Sequence, residues 1–144
     1  MNQTITRFGY PATLVADYDH WVMLLRPEQP TLGSLVLAAK TEATAFADLP
    51  PPAFAELAQA VADLESVLLD RVGFAKINYL MLMMVDPNVH FHVLPRYEGA
   101  RSHGGVEFVD HGWPKQPDLG NAVPLGPEQV ASLVGWLRDG WPAR

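Results

Sequence analysis

The run Asn88-Val89-His90-Phe91-His92-Val93-Leu94-Pro95-Arg96 constrains the fold more than any other stretch, because polar and apolar residues alternate along its first half with a period of two. Successive side chains of a strand point to opposite faces, so Asn88, His90 and His92 share one surface while Val89, Phe91 and Val93 face the other. β-branched and aromatic residues suit such a pleated, half-buried position. The strand therefore needs a core behind it and presents two imidazoles in a row on its other side. Near neutral pH an imidazole serves as nucleophile, general base, phosphate donor or metal ligand, and two on one rigid face form a convergent pair. For the His-x-His triplet taken alone, two ordinary half-buried histidines are the competing explanation.

The rest of the chain supplies the sheet and the layer behind it. Residues 13–16, 21–25 and 34–37 read as strands, with turn residues at 18–20 and 26–33, and form an antiparallel meander. After Pro50-Pro51-Pro52, apolar residues at Phe54, Leu57, Val61, Leu64, Val67, Leu68 and Val72 make a helical stripe that Gly73 closes. Residues 76–84 read as a strand apolar on both faces, turned at Val85-Asp86-Pro87 into the histidine strand as a hairpin whose turn is about five residues long. A slip of one residue there would send the histidines to the wrong face. Residues 97–124 are rich in Gly, Pro, His and Asp without a sustained period and read as an ordered loop. Its His103, Asp110, His111 and Trp113 are candidates for a lid, with plugging of a sheet edge as the competing reading. Val130, Leu133, Val134 and Leu137 mark a last short helix from Pro127, with Gly140 just past its end. The order β-β-β-α-β-β, then loop and helix, predicts an α+β fold with a largely antiparallel sheet.

With 144 residues, one domain over 1–144 is expected, its core at about 13–100 and a C-terminal loop and helix at 101–144. The net charge of −6 carries no basic stripe, which argues against nucleic acid as a partner. Small anions stay open, with His92, Arg96, Arg101 and Lys40 as donors near the motif. Cysteine is absent, which excludes disulfides and thiolate chemistry. Residues 1–10 lack a signal-peptide pattern and no apolar run is long enough for a span, so a soluble, cytoplasmic protein without a membrane partner is expected. Met81, Met83 and Met84 read as core or interface rather than pocket lining.

Residues 88–96 resemble the signature of the histidine-triad (HIT) family, in which three histidines alternate with apolar residues and Pro-Arg often follows. Gly33 before the strand Leu35-Val36-Leu37, and then the helix and hairpin, follow the family's order over residues 15–96. The resemblance implies a HIT-like sheet of five to six strands with one long helix across it and a short C-terminal helix. It implies a nucleotidyl hydrolase or transferase that cleaves at the α-phosphate of a nucleoside phosphoramidate, dinucleoside polyphosphate or related nucleotide through a nucleotidyl-histidine. By alignment His90 is the nucleophile and His92 contacts the phosphate, with Asn88, Arg96 and Arg26 as substrate-binding positions. No metal and no cofactor is implied. Homodimers are common in the family, joined through the long helix and the strand after it.

The chain also departs from that pattern. Asn88 replaces the first histidine, Gly33-Ser34 replaces Gly-His, and 39–42 read Ala-Lys-Thr-Glu where Pro-Lys-x-His is usual. Arg26 aligns with the acidic or amide residue that commonly holds the ribose hydroxyls, and it cannot accept a hydrogen bond. The Gly-rich loop before the motif is shortened to residues 85–87. These departures keep a non-catalytic nucleotide-binding module as an alternative. A third reading makes His90 and His92 half of a metal site completed by Glu98 or His103.

Overall fold

The computed structural model describes residues 1–143; Arg144, the last residue of the expected domain, lies outside them. Five strands, β1 (Leu14–Asp17), β2 (Trp21–Leu25), β4 (Leu35–Ala39), β5 (Lys76–Leu80) and β6 (His90–Arg96), form one antiparallel sheet in the order β1-β2-β4-β6-β5. A two-residue β3 (Glu28–Gln29) lies in the β2–β4 connection and pairs with β9 (Val123–Pro124). The register aligns Leu24, Val36 and His92 across β2, β4 and β6, and Ala38 with His90. One face of the sheet is thus Val22, Leu24, Val36, Ala38, His90 and His92, and the other is Trp21, Met23, Leu25, Leu35, Leu37, Phe91 and Val93.

Helix α2 (Pro51–Val72) lies on the second face. It begins two residues earlier than its apolar stripe suggests, because Pro51 and Pro52 occupy the first turn, where a backbone N–H has no intrahelical acceptor to lose. Gly73 ends it in the left-handed region at φ +66°, donating to the carbonyls of Leu68 and Leu69. Leu64 and Leu68 are fully buried against the sheet, each contributing about 1.5–3 kcal/mol of apolar burial. Phe54 proves 40% exposed, off the buried face. Gly33 sits at φ +87°, and a Cβ there would lie 3.0 Å from both Leu68 and Val72, so the turn before β4 packs under the helix only as glycine.

Helix α3 (Pro127–Gly140) runs through Gly140 rather than stopping before it, and buries Val130, Leu133, Val134 and Leu137 in the same apolar cluster as α2 and the sheet. Residues 97–124 are more regular than their composition suggests. Strands β7 (Ala100–His103) and β8 (Val106–Val109) form a hairpin whose Phe108 is buried. The expected 76–84 strand ends at Leu80, so the connection to β6 is the nine residues 81–89 rather than a tight turn. Met83 in that connection holds φ +46°, a left-handed conformation uncommon for a long side chain, and it breaks the strand.

The first face of the sheet is covered by a short helix the sequence reading did not anticipate, α1 (Gln3–Arg7). Asn2 caps it by accepting from the Ile5 N–H, while its amide donates to the carbonyls of Ala39 and Thr41. Ile5, with Phe8, Tyr10 and Leu14 at its margin, packs on Val22, Leu24, Val36 and Ala38.

Candidate active site

His90 and His92 lie side by side at the start of β6, ring centroids 5.0 Å apart, on the face away from α2. Phe8, at the C-terminal end of α1, sits against both rings at 5.7 Å. The two imidazoles form the floor of a cleft of about 420 Å³. Arg7 and Phe8 form one wall and Arg26, Pro27 and Glu28 another, while Leu82 to Asp86 and Leu119 complete the rim.

The His90 ring is oriented from its own strand. Its Nδ1 lies 2.7 Å from the Asn88 carbonyl oxygen. A carbonyl only accepts, so Nδ1 carries a proton, and in the neutral ring Nε2 holds the lone pair with no partner within the protein. His92 is held differently. Burial, then the positive charge of Arg26, then His90 push its pKa down to about 4, so it is neutral at physiological pH. Its Nδ1 is buried without a hydrogen-bond partner.

Arg26 follows β2 directly and, by strand alternation, continues the Val22–Leu24 face toward the cleft. Its backbone is pinned on both sides: its N–H donates to the Ser34 carbonyl, and its carbonyl accepts from the Gln29 amide at 2.7 Å. Gln29, 1% exposed, also donates to the Ser34 carbonyl and accepts from the Gly33 and Ser34 N–H groups. That one side chain ties Arg26 to Gly33 and Ser34, and the Tyr97 hydroxyl holds the Leu32 N–H between them.

The remaining sequence candidates lie elsewhere. Asn88 is 4% exposed and its amide is committed to structure: Oδ1 accepts from the Thr4 hydroxyl at 3.0 Å and Nδ2 donates to the Glu42 carbonyl. Only its backbone carbonyl serves the site. Arg96 shares the histidine face of β6 but is turned into a closed polar cluster. It grips Asp110 with Nε and Nη2 at 2.7 and 3.0 Å and donates to Asn78 Oδ1 and the Lys115 carbonyl. It does not line the cleft. Lys40 pairs with Asp17 at 2.6 Å, and Arg101 caps the C-terminal end of α2 through the Val72 and Gly73 carbonyls.

The 110–122 segment reaches the cleft at Leu119; Asp110 holds Arg96 instead, and His111 is exposed. His103, a supposed third ligand of the metal reading, stacks on Trp136 and contacts Ser132 on the far side of the fold. No group of three or more His, Asp or Glu side chains among the described residues is arranged to hold a metal ion.

Met81 and Met83 pack against the core as expected, although Met83 also lines the cleft, whereas Met84 lines the cleft and is 86% exposed, contrary to the core reading. Arg7 and Phe8 went unnoticed because the first ten residues show no apolar period. Asn2 as a helix cap and Gly9, at φ +92° just past the helix, were the available signals.

No family model and no curated protein matches the chain. Solved structures do. A histidine triad (HIT) protein from Sinorhizobium meliloti 1021 aligns at TM-score 0.75 over 97% of this chain and 95% of its own, with 21% identity. A histidine triad protein from Bradyrhizobium japonicum aligns at 0.73 over 98% and 96%, with 17% identity. A hypothetical histidine triad nucleotide-binding protein from Sulfolobus tokodaii strain7 aligns at 0.68 over 95% and 88%, with 18% identity. At these identities the likeness establishes the fold: this chain is built as histidine triad proteins are. No helix among the described residues is long and apolar enough to cross a membrane.

Proposed function

We propose that the protein is a histidine-triad nucleotidyl hydrolase or transferase, acting at the α-phosphate of a nucleoside phosphoramidate, dinucleoside polyphosphate or related nucleotide. The observation that carries this reading is the 2.7 Å contact between His90 Nδ1 and the Asn88 carbonyl, which leaves Nε2 as the ring nitrogen free to face a ligand-sized cleft. In the proposed reaction the Nε2 lone pair forms a bond to the α-phosphorus as the bond to the leaving group breaks, and the leaving group departs with that electron pair. Water or another acceptor then displaces His90 and releases the nucleoside monophosphate. His92, neutral, donates to a non-bridging oxygen through a single N–H. Positioning and donors to the phosphoryl oxygens carry most of such a transfer. The loss of the first histidine at Asn88 does not disturb this scheme, since the orienting group is a backbone carbonyl that any residue supplies.

The test is chromatographic release of nucleoside monophosphate from a panel of adenosine and guanosine phosphoramidates and dinucleoside polyphosphates. Release that resists EDTA and vanishes in His90→Ala is the expected result. Arg26 and the truncated 85–87 loop favour a second reading, a nucleotide-binding module without turnover. Calorimetric binding with no product from any member of the panel would establish that one instead.

The same reading includes a cytoplasmic location and a homodimer joined along β5 and α2. Its support is the position of β5 at an edge of the sheet and an apolar hollow beside it lined by Leu37, Leu57, Val61, Tyr79 and Phe91. A dimeric mass in sedimentation equilibrium is expected; a monomeric mass at working concentration would refute it.

A further inference from the structure

Among the described residues, two buried side-chain polar atoms lack a hydrogen-bond partner, Arg26 Nε and His92 Nδ1, and both belong to residues that line the cleft. A buried donor without an acceptor costs about 1–3 kcal/mol, so such atoms call for an explanation, and a ligand that completes them is one. Arg26 is not a wandering surface side chain. Gln29 and Ser34 fix its backbone, and Nη1 donates to the Glu28 carbonyl at 2.7 Å.

Its charge, however, is met only through space by Glu28, without a salt bridge. The cleft contains two carboxylates, Asp86 and Glu28. Asp86 pairs with Arg7 at 3.2 Å, and Glu28, exposed at the rim, makes no ion pair with Arg26. Arg96 shows what this chain does with an arginine it uses as structure: Asp110 takes it in a two-point grip. A guanidinium is built for that grip, and charge-assisted bonds to carboxylate or phosphate are roughly twice as strong as those to a neutral hydroxyl. Arg26 lies on the histidine face two strand spacings from β6, about 10 Å at the backbone, a gap its long side chain shortens.

We infer that Arg26 is a specificity-determining residue for a second anionic group, so that the cleft prefers nucleotides carrying another phosphate beyond the one that reacts at His90. The inference rests on the nucleotide reading above. The second phosphate has two possible sources, the 2′ or 3′ position of the sugar or a further member of the 5′ chain.

Calorimetric titration with four probes separates them: adenosine 5′-monophosphate, adenosine 2′,5′-bisphosphate, adenosine 3′,5′-bisphosphate and adenosine 5′-diphosphate. The wild-type protein should bind at least one of the three doubly phosphorylated probes about tenfold or more tightly than the monophosphate. Arg26→Gln should erase that gain, and Arg26→Lys should keep part of it, having charge without the planar fork. The lysine variant guards against a glutamine variant that does not fold, as judged by circular dichroism. A gain for a sugar-phosphorylated probe assigns the source to the sugar, and a gain for the diphosphate alone assigns it to the 5′ chain. Equal affinity for all four probes, or a gain that survives Arg26→Gln, overturns the inference and leaves the nucleotide reading intact. Binding of none of them, with no monophosphate released in the assay above, overturns both.

Discussion

The two ends of β6 carry polar residues on the same face, and the protein treats them in opposite ways. At the start of the strand His90 and His92 open onto a cleft, with His92 Nδ1 left unpartnered. At its end Arg96 is 3% exposed and bonded to Asp110, Asn78 and the Lys115 carbonyl. What separates them is what lies above the sheet. The 110–115 segment closes over Arg96, while Phe8 covers the imidazoles along one side and leaves the cleft open. A polar atom committed to the fold is satisfied; one held for chemistry keeps a free position. The same contrast divides the two arginines, Arg96 in an ion pair and Arg26 without one.

The largest effect that would test this division is on turnover. His90→Ala should lower nucleotide turnover by about three orders of magnitude or more while thermal unfolding is nearly unchanged, because the imidazole is a nucleophile and not a support. A variant that unfolds early would place His90 on the structural side of the comparison. At the other end, Arg96→Ala should cost about 3–5 kcal/mol in urea unfolding, since it strands Asp110 as an unpaired buried charge. Replacing both, Arg96→Met with Asp110→Leu, should recover much of that loss, and failure to recover would mean that the bonds to Asn78 and Lys115 dominate.

Titration sharpens the comparison further. The His92 pKa of about 4 lies below the ordinary 6.5, so the unfolded chain takes up a proton that the native state refuses. Its contribution to stability is therefore complete above pH 6.5 and is lost as pH falls toward 4. His92→Gln should flatten that part of the stability profile. Phe8→Ala should let water reach the ring, raising the His92 pKa toward 6.5 in an NMR titration, with a stability loss of about 1–2 kcal/mol. An unmoved pKa would show that the charges of Arg26 and His90, rather than cover by Phe8, set it.

The smallest effect concerns Asn88. Asn88→Ala removes the amide that joins the segment before β6 to Thr4 and the Glu42 carbonyl and should cost about 1–2 kcal/mol, with turnover per folded molecule changed little. Asn88→His, which restores the family pattern, should not raise turnover, because the His90 ring is already oriented by a carbonyl. A large gain would show that the position acts through its side chain.

Much of this was legible in local pattern. The period-two alternation around His90 and His92, the α2 stripe ending at Gly73 and the apolar positions of α3 all report which face is buried, and burial is a local property of a strand or helix. Asn88 and Arg96 share a limit of the pattern: alternation tells which face a side chain occupies but not what covers that face. Residues 81–84 read as strand because Met81, Leu82, Met83 and Met84 are apolar, yet this stretch lines an opening as well as a core.

The sequence by itself determined the pairing of an antiparallel sheet with a long helix, and the placing of two imidazoles on the face away from that helix, because side-chain periodicity records both directly. Only the tertiary structure decided which polar residues meet. Thr4 reaches Asn88 across 84 residues of chain, the charge of Arg26 acts on His92 across 66, and Asp110 returns to Arg96 at the end of the β7–β8 hairpin. Those encounters depend on how distant segments pack over the sheet. That packing is set by the sum of all buried contacts and by no short stretch of residues.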